Sequence, residues 1–141
     1  MKVVLDANVF ISALMKEGSV PYKAVKKALS DFETIVPQQF VNDIYSFALQ
    51  AKKKKVKINP DDFIVIVAEL EKSGLIKIVK VKGIVDISRH KADNHYISAA
   101  LENGAKVLIT GDKDLTCEET VKRCLELGIR IVKPVEFVEM F

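Results

Sequence analysis

The chain has 141 residues, 49% hydrophobic and 29% charged, a balance that fits a soluble globular protein folding as one domain over residues 1–141. No apolar run reaches the roughly 18 to 20 residues of a membrane span, and Met1-Lys2-Val3-Val4-Leu5-Asp6 lacks the apolar stretch and cleavage site of a signal peptide, so a cytoplasmic protein is expected. Twenty-two Lys and Arg against 19 Asp and Glu leave a net charge of +3, too small to announce nucleic-acid binding by itself.

Residues 2–5 form a short β-branched apolar run, followed by Asp6-Ala7-Asn8 and then by Val9, Phe10, Ala13 and Leu14 at helical spacing. This predicts strand, turn and helix. Gly18-Ser19-Val20-Pro21 breaks that helix, and Pro21 suits the first turn of another that runs to about Leu29. Thr34-Ile35-Val36 predicts a second strand, ended by Pro37. Phe40, Val41, Ile44, Phe47, Ala48 and Ala51 then recur at threes and fours, a helix that reaches into Lys52, Lys53, Lys54 and Lys55.

Asn59-Pro60-Asp61-Asp62 is a helix start, and Phe63, Ile66, Val67 and Leu70 supply its buried stripe as far as Gly74. Residues 75–81 read as a strand and residues 83–92 as a loop. Asp93 caps the next predicted helix, whose inner face holds Tyr96, Ile97, Ala100 and Leu101 and which Asn103-Gly104 ends in the left-handed conformation. Residues 106–110 are apolar on both faces, as a central parallel strand between helices requires. After Gly111-Asp112-Lys113-Asp114 comes one helix to about Leu127, a last strand at 129–132, and a terminal turn or helix opened by Pro134. The alternation predicts an α/β fold: three layers, α/β/α, around a mainly parallel sheet of about four or five strands with right-handed crossovers.

Cys117 and Cys124 are seven residues apart, on one face of that predicted helix, and no Cys or His stands near them at ligand spacing; they read as reduced, partly buried thiols. His90 and His95, five apart, do not share a helix face, which argues against a histidine metal site.

In an open parallel sheet, ligands bind beyond the carboxyl ends of the strands. Two predicted strands deliver an Asp to that edge: Asp6 directly after the first, and Asp112 two residues past Thr110, with Asp114 following. Asp93 heads the helix leading into the second of these strands, and Asp43 lies on the first turns of the third helix. Each acid taken singly reads as a cap or turn former. Taken together they change the balance, because carboxylates about 4 Å apart repel by about 4 kcal/mol at an effective dielectric near 20, and a divalent cation supplies the compensation. Oxygen ligands without paired His or Cys favour a hard ion, Mg²⁺ or Mn²⁺, which can activate water toward a phosphodiester. Asn8 and Thr110 are then candidates to orient the carboxylates, and Thr110 reads equally as an ordinary strand-end residue. Lys52, Lys53, Lys54 and Lys55, with Lys23, Lys26 and Lys27, offer charge for nucleic-acid phosphates; the run at the helix end equally reads as a solvated terminus that complements the helix dipole.

The opening Lys2-Val3-Val4-Leu5-Asp6-Ala7-Asn8-Val9-Phe10, together with Asp93-Asn94-His95-Tyr96 and Leu108-Ile109-Thr110-Gly111-Asp112-Lys113-Asp114, resembles the PIN-domain family, especially the toxin components of toxin-antitoxin systems. The resemblance extends through Ile129-Arg130-Ile131-Val132-Lys133-Pro134. It implies a PIN fold and a ribonuclease dependent on Mg²⁺ or Mn²⁺. Asp6, Asp93 and Asp112 match its metal-binding acids, Asp114 an accessory acid, and Asp43 a position where the family usually has Glu; Asp43 and Asp114 are expected to join the metal site, helping to position the ion or the attacking water. Ala7 stands where many relatives have Thr or Ser, and His90-Lys91-Ala92 lacks the aspartates common before the Asp93 position. A small antitoxin and a homodimer are also implied.

Two other readings compete. A regulatory RNA-binding or protein-binding module would keep the fold without turnover. A phosphatase using Asp6 as nucleophile is disfavoured, because Asp6-Ala7-Asn8 has no second acid two residues on and no glycine-rich loop follows.

Overall fold

The computed structural model describes residues 1–54, 59 and 61–141. Among these residues five strands, β1 (Lys2–Leu5), β2 (Glu33–Pro37), β3 (Ile76–Val79), β4 (Val107–Ile109) and β5 (Arg130–Val132), pair in the order β3-β2-β1-β4-β5, and every pairing is parallel. The central strands are short and β-branched: Val3, Val4, Leu5, Leu108 and Ile109 are fully buried, as expected of strands covered on both faces. The helices are α1 (Ala7–Met15), α2 (Val20–Asp31), α3 (Gln38–Lys53), α4 (Asp61–Lys72), α5 (Asn94–Asn103), α6 (Lys113–Thr116), α7 (Glu118–Glu126) and α8 (Pro134–Met140). They flank the sheet in the three-layer α/β/α arrangement expected from the alternation.

Aromatic contacts join the helices. Phe10 of α1 meets Phe40 of α3 edge-on, with ring centroids 5.4 Å apart, and Phe47 of α3 stacks on Phe63 of α4 at 5.3 Å. Each such pair adds about 1 kcal/mol to the burial of its rings. Asn59 Oδ1 accepts from the Asp61 backbone N–H and so caps α4, as expected, whereas Pro60 lies outside the described residues. Gly104 closes α5 at φ 70°, the left-handed turn that favours glycine.

Two local differences from the sequence reading have identifiable causes. The helix expected after Asp112 is two helices, because Cys117 is extended (ψ 151°) and serves as cap of α7. Acidic Glu118 and Glu119 in the first turn of α7 complement its dipole, a start signal hidden inside an otherwise continuous helical pattern. Cys117 and Cys124 therefore do not share a helix face; both are free, Cys124 buried and Cys117 half-buried. Asp93 stands before α5 but makes no side-chain capping bond, its backbone being helical in a 3-10 turn over Lys91–Asp93.

Sheet order places the site. The chain runs outward through β1, β2 and β3, then returns to pair β4 against β1, so the carboxyl ends of β1 and β4 lie side by side where the connections diverge. Such a point is where an open parallel sheet leaves a crevice. Among the described residues, no helix is long and apolar enough to cross a membrane.

Candidate metal centre at the carboxyl edge

The ladder continues one residue beyond β1 and β4: the Asp6 N–H donates to Ile109 O at 3.0 Å, and the Thr110 N–H to Val132 O at 3.0 Å. Both side chains are thereby held at the edge. Asp6 Oδ1 accepts from the Asn8 N–H at 3.2 Å, which caps α1, and Oδ2 accepts from the Thr110 hydroxyl at 2.5 Å. Thr110 Oγ1 in turn accepts from the Asp112 N–H at 3.0 Å, and Asp112 Oδ1 caps α6 by accepting from the Asp114 N–H at 2.7 Å. Asp6 and Asp112 are therefore caps and edge carboxylates at once; the two readings of each acid were never exclusive. Asn8 acts on Asp6 through its main chain.

Burial pushes the Asp6 carboxyl up to about 6, with the bonds from Thr110 and Asn8 pulling down and the charges of Asp112 and Asp43 pushing up. Burial and the Asp112 charge raise Asp93 to about 7, against the pull of His90. Asp93 Oδ2 is buried and, among the described residues, has no hydrogen-bond partner; His90 Nδ1 stands 3.5 Å away. Carboxylate oxygens of Asp93, Asp112 and Asp114 lie within 4.8 Å of one another. Asp114 is not free of cations: Arg89 Nη2 donates to its Oδ1 at 3.0 Å. That guanidinium belongs to a largely exposed side chain and does not line the cavity, so it does not fill the place between the carboxylates.

The cavity has a volume of about 450 Å³, and Asp6, Asp43, Asp93 and Asp112 share its wall with Asn8 and His90. Asp43 comes from α3, where Gln39 Nε2, one turn earlier, donates to its Oδ1 at 2.8 Å. Its Oδ2 accepts from the Tyr96 hydroxyl at 2.7 Å, and the same hydroxyl accepts from the Ala7 N–H at 3.4 Å. Tyr96 was expected only as a core residue, and its ring is indeed buried. The signal for its second role was chemical: a buried phenol needs a polar partner, and at three residues past Asp93 its tip points to the same edge. His90 lines the cavity beside Asp93, a place that its lack of a histidine partner at helical spacing does not announce.

The lysines divide. Lys52 is exposed and pairs with Asp61 at 2.8 Å; Lys53 ends α3, Lys54 caps it, and Lys55 lies outside the described residues. Lys54 is four residues past Gln50, a cavity residue, so it continues that stripe of α3.

The donor set fits a hard divalent cation. It is composed of carboxylate oxygens, two of them resisting ionisation where they are buried, and one buried oxygen lacks any donor.

The PIN domain profile matches residues 2–114. The uncharacterized protein MJ1680 of Methanocaldococcus jannaschii is 28% identical over 145 residues, spanning 100% of this chain and 92% of that protein. Among solved structures, VapBC2 from Rickettsia felis, bound to a DNA fragment from its promoter, is similar with a TM-score of 0.63 at 15% identity, covering 94% of this chain and 98% of that one. The PIN domain endonuclease Utp24 is similar with a TM-score of 0.52 at 13% identity, covering 94% and 84% respectively. With the profile running from the first strand to the last acid of the edge cluster, the chain belongs to the PIN domain family.

Proposed function

We propose that this protein is a metal-dependent endoribonuclease that hydrolyses RNA phosphodiesters, and that it is the toxin of a toxin-antitoxin pair. The observation that carries the first part is the buried Asp93 oxygen without a donor, in a cavity ringed by Asp6, Asp43 and Asp112. Asp6, Asp93 and Asp112 would hold Mg²⁺ or Mn²⁺. Bound there, such an ion lowers the pKa of water and offsets charge on a phosphodiester.

The chain's own residues do the rest. Thr110 and the Asn8 N–H hold Asp6 in one orientation and favour its ionised form. Tyr96 and Gln39 fix Asp43 on the cavity wall, where its carboxylate would orient the attacking water and take its proton as the water oxygen bonds to phosphorus; the bridging P–O bond breaks with its electron pair going to the leaving ribose oxygen, which takes a proton from solvent. Asp114 helps position the site from its rim. Lys53 and Lys54 extend positive charge from the end of α3 toward the strand.

The toxin role, a small antitoxin partner and a homodimer rest on the resemblance to PIN toxins. An acidic cavity of this kind suits an arginine from a partner protein, which could donate to two carboxylates at once. End-labelled single-stranded RNA and DNA incubated with the purified protein, with Mn²⁺ or EDTA, test the reading. Mn²⁺-stimulated cleavage of RNA is expected, lost in Asp6→Asn and Asp93→Asn. Cleavage by either purified variant at the wild-type rate would exclude its assigned role, and absence of Mn²⁺ binding by calorimetry would favour a non-cleaving module. Co-purification with the product of the adjacent reading frame, followed by inhibition on mixing, tests the antitoxin.

A further inference from the structure

The loop before Asp93 carries three consecutive cation-forming residues, Arg89, His90 and Lys91, all exposed; His90 lines the acidic cavity, and Arg89 reaches the carboxylate cluster through Asp114. Although it lies between β3 and the 3-10 turn, with no ladder of its own, its main chain is firmly held. Asn94, 2% exposed, accepts through Oδ1 from the Ser88 N–H at 2.7 Å and the Ile87 N–H at 3.1 Å, and donates through Nδ2 to Ser88 O at 3.2 Å. Ser88 Oγ accepts from the His90 N–H at 3.3 Å, and Arg123 donates to Asp86 O and Ile87 O at 3.4 Å. These bonds account for the order of the loop. They do not account for what it presents outward.

Arg89 extends from this platform with its side chain 77% exposed, and its Nη2 meets Asp114 Oδ1 at 3.0 Å. An exposed ion pair contributes little to stability, so the consequence of this one is orientation. Asp114 fixes one edge of the guanidinium beside the carboxylate cluster, while Nε and Nη1 remain to donate. A strand whose phosphate approaches several carboxylates is repelled by them, and a planar, permanently charged donor at the rim is the group that offsets the repulsion on the neighbouring phosphate.

We propose that Arg89, oriented by Asp114, binds the strand phosphate adjacent to the one placed over the carboxylates, and that Asp114 is a positioning residue acting through Arg89 rather than an ion ligand. The proposal rests on the nuclease reading and assigns the substrate-gripping residue of that site.

The test uses purified full-length wild type, Arg89→Gln, Asp114→Asn and the double variant. Mn²⁺ affinity is read by calorimetry, steady-state cleavage is read on a fluorescein-labelled oligouridylate, and RNA binding is read by anisotropy in an Asp6→Asn background at several salt concentrations. Arg89→Gln is expected to raise KM about tenfold with kcat little changed, to reduce the salt slope by about 1, and to leave Mn²⁺ affinity as in wild type. Asp114→Asn should raise KM in the same direction without weakening Mn²⁺ binding, and the double variant should be no worse than Arg89→Gln alone. If the wild type cleaves and Arg89→Gln keeps its KM and salt slope, the inference fails and the nuclease reading survives. If Asp114→Asn lowers Mn²⁺ affinity about tenfold, Asp114 is an ion ligand and the positioning role is overturned. A wild type that neither binds Mn²⁺ nor cleaves RNA sinks the nuclease reading instead, whatever Arg89 does to binding.

Discussion

The Thr110 hydroxyl donates to Asp6 Oδ2 at 2.5 Å across a sequence separation of 104 residues, and so ties together the carboxyl ends of β1 and β4. The bond favours the ionised carboxylate against a burial that raises its pKa to about 6. Thr110→Val keeps the branched shape and removes the donor. Asp6 should then protonate more readily, the Asp112 N–H should lose its acceptor, and Mn²⁺ affinity near neutral pH should fall about tenfold. Calorimetric titration measures this directly; an affinity equal to that of wild type would remove Thr110 from any part in preparing the site.

Tyr96→Phe isolates the bridge between Asp43 and the start of α1. Burial, with the nearby Asp6 and Asp43 charges, keeps the phenol protonated well above its ordinary 10.0, so it is a donor to Asp43 at every working pH. Removing it leaves a half-buried Asp43 oxygen and the buried Ala7 N–H short of one partner each. A loss of about 1 to 2 kcal/mol is expected, seen as a lower urea midpoint with an unchanged m-value. A variant as stable as wild type would mean that water replaces the hydroxyl there.

The elements that could be read in the sequence are those whose period and punctuation agree. Val3-Val4-Leu5 and Val107-Leu108-Ile109 had to be buried strands because nothing in them tolerates water on either face, and both therefore delivered their acids to one edge. Asp6, Asp43, Asp93 and Asp112 were nominated from that edge logic and line one cavity. The break at Cys117 was hidden, since the residues on both sides of it keep helical spacing and only the extended cap separates them. Arg89 is illegible in the sequence for a different reason: its pairing with Asp114 spans 25 residues and is settled by how Asn94 folds the intervening loop, which no local pattern encodes.

The raised carboxyls set a pH dependence with a definite sign. Asp6 and Asp93 have native values of about 6 and about 7 against an ordinary 3.8, so the folded protein holds protons that the unfolded chain has released. Their contribution is fully present below about pH 4 and is lost as pH rises through about 7. In EDTA, stability should fall between about pH 5 and pH 8, Asp6 alone accounting for about 1 kcal/mol of the fall over that range. Mn²⁺ binds the deprotonated pair, so the rise in Tm that it produces should be larger at the higher pH. Urea or thermal unfolding at both pH values, with and without Mn²⁺, checks the pattern. Stability in EDTA that rises over this range would show that the two acids are ionised in the folded protein without cost.

Asp93→Asn and Asp6→Asn should differ in stability even though both are expected to abolish the proposed cleavage. Among the described residues only the exposed His90, 3.5 Å away, attracts Asp93 Oδ2, so an amide placed there forfeits that weak attraction and removes a buried charge that Asp112 repels. Asp6 accepts at both oxygens, from Asn8 and from Thr110, and an amide nitrogen at one of them meets a donor where it needs an acceptor. In EDTA at about pH 8, Asp93→Asn should therefore be more stable than wild type by about 1 to 2 kcal/mol, the usual sign of a group kept for function against stability. Asp6→Asn should gain less, or lose, because the mismatched bond offsets the relieved charge. Denaturant midpoints of the three proteins decide it. An Asp93→Asn variant less stable than wild type under these conditions would show that the Asp93 carboxylate is satisfied as it stands, and the case for an ion beside it would lose its main support.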